Sequence, residues 1–166
     1  MRLHVLAVAL VSLATSMPGL ASDTVPTRET VRSADPAIAQ QLDELKYKYE
    51  VDGDGDYRLG FDMDGGRSQQ AFVISLVESF GEVKVRELWA PAYRATNGEF
   101  PAAVANRLLE DSNSSKLGGW VKQGDTAVFV VKLAADASRS QLDDALDFVL
   151  RTADQMEKEL TGKDEF

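Results

Sequence analysis

The sequence contains no cysteine and a single histidine, His4. Without thiols there is no disulfide, no thiolate nucleophile and no Cys-based zinc site. If His4 leaves with the N-terminal segment read below, the rest of the chain also lacks the side chain best suited to proton transfer near neutral pH. With it go all His-based triads. Carboxylates, hydroxyls, lysines and tyrosines remain, so the composition weighs against catalysis without abolishing it. Basic charge is scarce too: 18 Lys and Arg stand against 27 Asp and Glu, a formal charge of −9. That balance opposes phosphate backbones and anionic lipid surfaces, so nucleic acid is not an expected partner.

Long apolar runs are also missing, except near the start. Arg2 precedes Val5–Leu13, an apolar stretch interrupted only by Ser12, and Pro18-Gly19-Leu20-Ala21 follows with small residues at the two positions a signal peptidase reads. This run is too short for a bilayer of about 30 Å. It predicts a signal peptide over 1–21, cleaved after Ala21, with a buried N-terminal helix or an uncleaved anchor as the alternatives. The mature chain is then expected to be soluble, and periplasmic or secreted. Its size is that of one ordinary domain, large enough for a core without staples.

From 22 to 35 the segment "SDTVPTRETVRSAD" is polar and aperiodic, and reads as a flexible linker. Asp35 is a candidate N-cap with Pro36 behind it, and Ile38, Leu42 and Leu45 recur at helical spacing. The period then changes to two: Tyr57, Leu59, Phe61 and Met63 alternate with Arg58, Gly60 and Asp62. "QAFVISLVE" is a nearly continuous apolar run of strand length. Val83, Val85, Glu87 and Trp89 begin a third strand that Pro91 helps to finish, with Glu87 breaking its apolar side and leaving the register open. Asn97-Gly98 precedes a second helix whose apolar side is Phe100, Val104, Leu108 and Leu109. "KLGGWVK" and "TAVFVVKLA", joined by Gly124-Asp125, read as a hairpin. In the last helix Leu142, Leu146, Val149, Ala153, Met156 and Leu160 form one stripe, with Ser138 or Ser140 as cap and Gly162 as stop. The order α-β-β-β-α-β-β-α predicts a single α+β domain over 36–162, an antiparallel sheet packed with helices, and 163–166 frayed.

Asp52-Gly53-Asp54-Gly55-Asp56 imitates the opening of a calcium loop. Such a loop requires glycine at position 6 and a bidentate Glu at position 12. Counting from Asp52 puts Tyr57 and Met63 there; counting from Glu50 puts Phe61 at position 12. A strand follows instead of an exiting helix. The residues fit a structural turn better, because Gly and Asp tolerate left-handed backbone and cap turns. Weak calcium binding by Asp52, Asp54 and Asp56 stays as the alternative. Asp62 and Asp64 are a second acidic pair, which a carboxylate-only hydrolase could use. Ser112, Ser114 and Ser115 have no base to activate them. Asn113-Ser114-Ser115 matches a glycosylation acceptor, meaningful only in a eukaryotic secretory route. Gly118-Gly119 suggests close packing more than a phosphate cradle. Trp89 and Trp120 read as core or sheet-face aromatics, and would mark a partner surface if exposed together.

"LKYKYEVDGDGDYRLGFDM", "ANRLLEDSN", "WVKQGDTAVFVVKL" and the terminal helix resemble the YbjN family, bacterial proteins whose fold is similar to that of type III secretion chaperones. The resemblance spans roughly Ala37 to Leu160. It rests on element order, the acidic glycine-rich link, Asn106 and Asn113, and the turn Gly124-Asp125. It implies a compact α+β module with no recognised catalytic residues and no cofactor. Family members are labelled sensory-transduction regulators, and chaperones of similar fold are homodimers that grip extended peptides. Those chaperones are cytoplasmic, whereas this chain carries an export signal, and no binding residue transfers by motif. The expectation is a non-enzymatic exported module that recognises protein or peptide. Ala102, Ala103, Val104, Ala105, Leu108 and Leu109 give the second helix apolar residues on more than one side, enough to pack on the sheet and on a second subunit.

Overall fold

The computed structural model describes residues 33–166. The expected signal peptide, its cleavage site, His4 and the linker as far as residue 32 lie outside the described residues. The element order is α1 (Pro36–Leu45), β1 (Tyr49–Val51), β2 (Tyr57–Met63), β3 (Arg67–Phe80), β4 (Val83–Arg94), α2 (Ala102–Ser114), β5 (Gly119–Gln123), β6 (Thr126–Ala134) and α3 (Arg139–Thr161). The strands form one antiparallel six-stranded sheet in the order β1-β2-β3-β4-β6-β5. This is the expected α+β class, with one strand more than the sequence suggested. β1 follows α1 almost at once, because left-handed Lys46 ends the helix and turns the chain back along β2.

All three helices lie on one face of the sheet. α3 crosses β3, β4 and β6, and its stripe of Leu142, Leu146, Val149, Ala153 and Met156 is buried against Leu59, Val73, Leu88 and Phe129. Ser138 caps it: Gln141 N donates to Ser138 Oγ, and Ser138 N donates to Gln141 Oε1. This reciprocal arrangement satisfies two donors that would otherwise be orphaned, a contribution of about 1 kcal/mol. α1 starts as expected, with Asp35 Oδ1 accepting from Ala37 N, and rests on α3.

One expectation about β4 is corrected. Pro91 does not end the strand, which continues to Arg94; Pro91 sits opposite Val128 beside a register shift. There the missing N–H leaves less of the ladder unmade. The register that Glu87 left open is settled by the sheet. Leu88, Ala90 and Ala92 face the helices, and Glu87 and Trp89 face away. Alanine burial hid this phase, since small residues give a weak period-two signal.

α2 packs at the β5 edge. Leu108 alone is buried, Ala102 and Ala103 are exposed, and Leu109 is 65% exposed. Arg107 joins α2 to α3 through Glu159, and the pair holds the guanidinium more firmly protonated and the carboxyl below its usual range. Gly118 has φ 88°, and a side chain there would strike the Val130 carbonyl oxygen at 2.2 Å, so the close packing read from Gly118-Gly119 is present.

Candidate functional site

The acidic loop is built into the fold. Asp52 Oδ1 accepts from the N–H groups of Asp54 and Asp56, both at 2.9 Å, closing the turn on itself. Gly55 takes φ 81°, the left-handed conformation that glycine supplies without strain. Asp56 is buried and accepts from Ser75 N at 2.7 Å; Ser75 Oγ in turn donates to the Gly55 carbonyl at 2.6 Å. Asp35 N donates to Ser75 Oγ, and Tyr57 Oη donates to the Asp35 carbonyl. At the centre lies Arg86, only 4% exposed, which donates to the Ile74 and Ser75 carbonyls and to Asp35 Oδ2. Asp52 and Asp56 thus hold backbone N–H groups, and Asp54 is exposed. Among the described residues no group of three or more Asp, Glu, His or Cys is placed to hold a metal ion. The loop is a polar hub joining α1, β2 and the irregularity in β3. Sequence reasoning missed Arg86, although a lone cation on the phase of Leu88, Ala90 and Ala92 was a signal in plain view.

The second feature is the sheet face that the helices among the described residues leave uncovered. Cross-strand partners share a face, so Phe72–Trp89–Val130 and Pro91–Val128–Val121 form two apolar rows there. Val128 and Val130 are buried yet stand outside the helix-side core, while Val121 on edge strand β5 is 40% exposed. Glu87 completes the surface: its carboxylate accepts from Trp89 Nε1 at 2.7 Å and pairs with Lys132 at 3.0 Å. The two tryptophans lie on opposite faces. Trp120 is in the core against Phe129, with Nε1 donating to Asp111, so they do not form one exposed pair.

The third feature is a cleft of about 580 Å³ at the β1–β2–β3 end, lined by Tyr49, Arg58, Phe61, Gln70 and residues 164–166. The β3–β4 ladder begins at Phe72–Trp89, so Arg67–Ala71 of β3 pair with β2 alone and Pro91–Arg94 of β4 with β6 alone. Buried Gln69 bridges the opening by donating to the Pro91 carbonyl. The segment expected to fray fills the rest. Arg67 Nη1 donates to the Lys163 carbonyl at 2.6 Å, Ser68 N and Oγ donate to Asp164 Oδ1, and Glu165 N donates to Glu157 Oε1 at 2.6 Å. Arg94 lies 3.7 Å from Glu165 Oε1 and 5.2 Å from the Phe166 ring centre. Phe166 is buried but is not part of the helix-side core. Burial raises the Glu157 pKa, opposed by Arg67 and by the N–H groups of Glu165 and Phe166.

The remaining candidates hold no converging chemistry. Asp62 and Asp64 line a shallow cleft of about 150 Å³ with Tyr47, Phe61 and Arg151. Ser112, Ser114 and Ser115 each donate to a backbone carbonyl around the end of α2. Tyr47 Oη donates to Asp143 Oδ1 at 2.5 Å, and that bond, reinforced by partial burial and the neighbouring negative charge, pushes the phenol up to about 12. Since the folded-state value lies above the ordinary 10.0, the phenol's contribution to stability is complete below pH 10 and is lost as pH climbs through about 12. Tyr47→Phe should therefore flatten the alkaline fall in unfolding free energy relative to the parent. Urea unfolding at intervals between pH 9 and 12 reads this difference, and parallel curves for the two proteins would refute it.

A scan against protein-family models found none that matches this chain, and a search of curated proteins found no match. Among the described residues no helix is long and apolar enough to cross a membrane.

Proposed function

We propose that this chain is an exported, non-enzymatic binding module of the YbjN kind that recognises protein or peptide and works as a homodimer. The observation that carries the reading is the uncovered sheet face, where Trp89, Phe72, Pro91 and Val121 make an apolar surface with one ion-paired carboxylate at its rim. A surface of this kind takes apolar side chains, and edge strand β5 beside it offers main-chain groups to an extended segment. The absence of imidazole and thiol from the chain beyond the predicted leader favours binding over bond-making.

The test is to select extended peptides from a random library on the purified protein and then titrate them against variants. Trp89→Ala should weaken the selected peptides by about tenfold or more, the effect of truncating an interface anchor. Leu109→Ala, on the exposed side of α2, should leave them unchanged. Equal loss at both positions, or no selectable peptide, would remove the reading. A monomeric mass by sedimentation at micromolar concentration would remove the homodimer.

A further inference from the structure

We propose that the opening between β3 and β4 is a recognition site for an extended acidic segment of a partner protein carrying an aromatic side chain, and that residues 163–166 occupy it in cis as a competing surrogate. The inference stands independently of the uncovered-face reading. It begins from how the segment is held. Three successive residues are read by three different devices: the Asp164 carboxylate by the Ser68 N–H and hydroxyl, the Glu165 backbone N–H by Glu157, and the Phe166 ring by the Arg94 guanidinium. Main chain, acidic side chain and aromatic ring are thus each addressed, which is how a cleft reads an extended peptide.

Holding four residues does not by itself call for such groups. Glu157 is fully buried, and Arg67, which also binds Asp154, is largely so. Taking a carboxylate and a guanidinium from water opposes folding, and apolar residues of similar volume would pin the segment as well or better. What the charged set adds is a demand on the occupant: it must bring an N–H for Glu157 and acidic groups for Ser68 and Arg94. The ladder supplies the rest of the site. Because β3 and β4 diverge below Phe72–Trp89, the Ser68 N–H is an unpaired edge donor until an acceptor arrives, and Asp164 is that acceptor. Beside the segment, the cleft of about 580 Å³ is walled by Lys48, Tyr49 and Gln70 as well as by Asp164, Glu165 and Phe166.

The experiment titrates the N-acetylated peptide Lys-Asp-Glu-Phe into isotope-labelled protein and follows amide shifts at Ser68 and Arg94. The chain lacking residues 163–166 should show saturable shifts at these positions at millimolar peptide. The intact chain should bind at least about twofold more weakly, because its own segment competes at an effective concentration of about millimolar, comparable to the peptide concentration needed. In the shortened chain Arg94→Ala should weaken the peptide, and the control peptide Lys-Asn-Gln-Ala should not shift Ser68. Equal binding by intact and shortened chains overturns the proposal, as does no saturable shift in a shortened chain that still unfolds cooperatively. Should the shortened chain fail to fold, intact protein carrying Phe166→Ala, which keeps the Glu157 contact, is titrated in its place. It must bind the peptide more tightly than the parent, and parity overturns the proposal.

Discussion

Arg86→Leu should lower the free energy of unfolding by about 3–5 kcal/mol, the usual result of removing one member of a buried charge pair. The side chain is 4% exposed, and its departure leaves Asp35 Oδ2 without its cation and the Ile74 and Ser75 carbonyls without donors. Asp35 also caps α1, and Ser75 ties down the acidic loop, so the damage should spread from β4 to the start of α1 and to residues 52–56. Urea denaturation measures the total, and amide exchange locates it. The double variant Arg86→Leu with Asp35→Asn should lose less than the sum of the single losses, since removing both charges leaves neither orphaned. Arg86 Nε has no partner even in the intact network, which offsets part of the cost of removing the side chain by the same amount in the single and the double variant. A loss below 1 kcal/mol for Arg86→Leu would show that the hub is not holding these elements together.

Phe129→Ala should be comparably severe, at about 3–5 kcal/mol, for an apolar reason. Phe129 is fully buried on β6, packs edge-on against Trp120 with ring centres 5.1 Å apart, and lies 5.9 Å from Phe148 of α3. Its removal opens a cavity where β5, β6 and α3 meet, a place that cannot close without moving the sheet. Trp120 fluorescence should shift towards that of a hydrated indole alongside the lost stability. Phe80, 90% exposed at the tip of the β3–β4 hairpin, is the matched control. Phe80→Ala should change stability by no more than about 0.5 kcal/mol. Equal effects at the two phenylalanines would mean that the core is not where the structure puts it.

Elements with a strong period were legible in the sequence. The stripe of α3, the alternation of β2 and the Gly124-Asp125 hairpin are read from residues alone, because burial there is one-sided and the turn chemistry is unambiguous. β1 escaped because three residues are too few to show a period, and only its partner Tyr57–Leu59 makes it a strand. The phase of β4 stayed open because its buried side is Arg86, Leu88, Ala90 and Ala92, where alanine signals little and arginine misleads. Asp52 was rightly read as a turn residue, but its long-range neighbours were invisible: Asp56 meets Ser75 and Ser75 meets Asp35 only after the sheet has formed. The docking of residues 163–166 was hidden for the same reason, since Ser68, Arg67 and Arg94, which hold it, lie far away in the sequence.

The strand order also says something about time. Every neighbouring pair in the sheet is joined by a short link except β4 and β6, between which α2 and β5 intervene. Closing that seam costs more chain entropy than any other pairing, so the β1–β4 meander and the β5–β6 hairpin should each form before they find one another. A chain emerging from its site of synthesis would present the meander first, with the inner edge of β4 bare until the hairpin and α3 arrive. It is in that interval, more than in the finished molecule, that this protein is most exposed to pairing with the wrong neighbour.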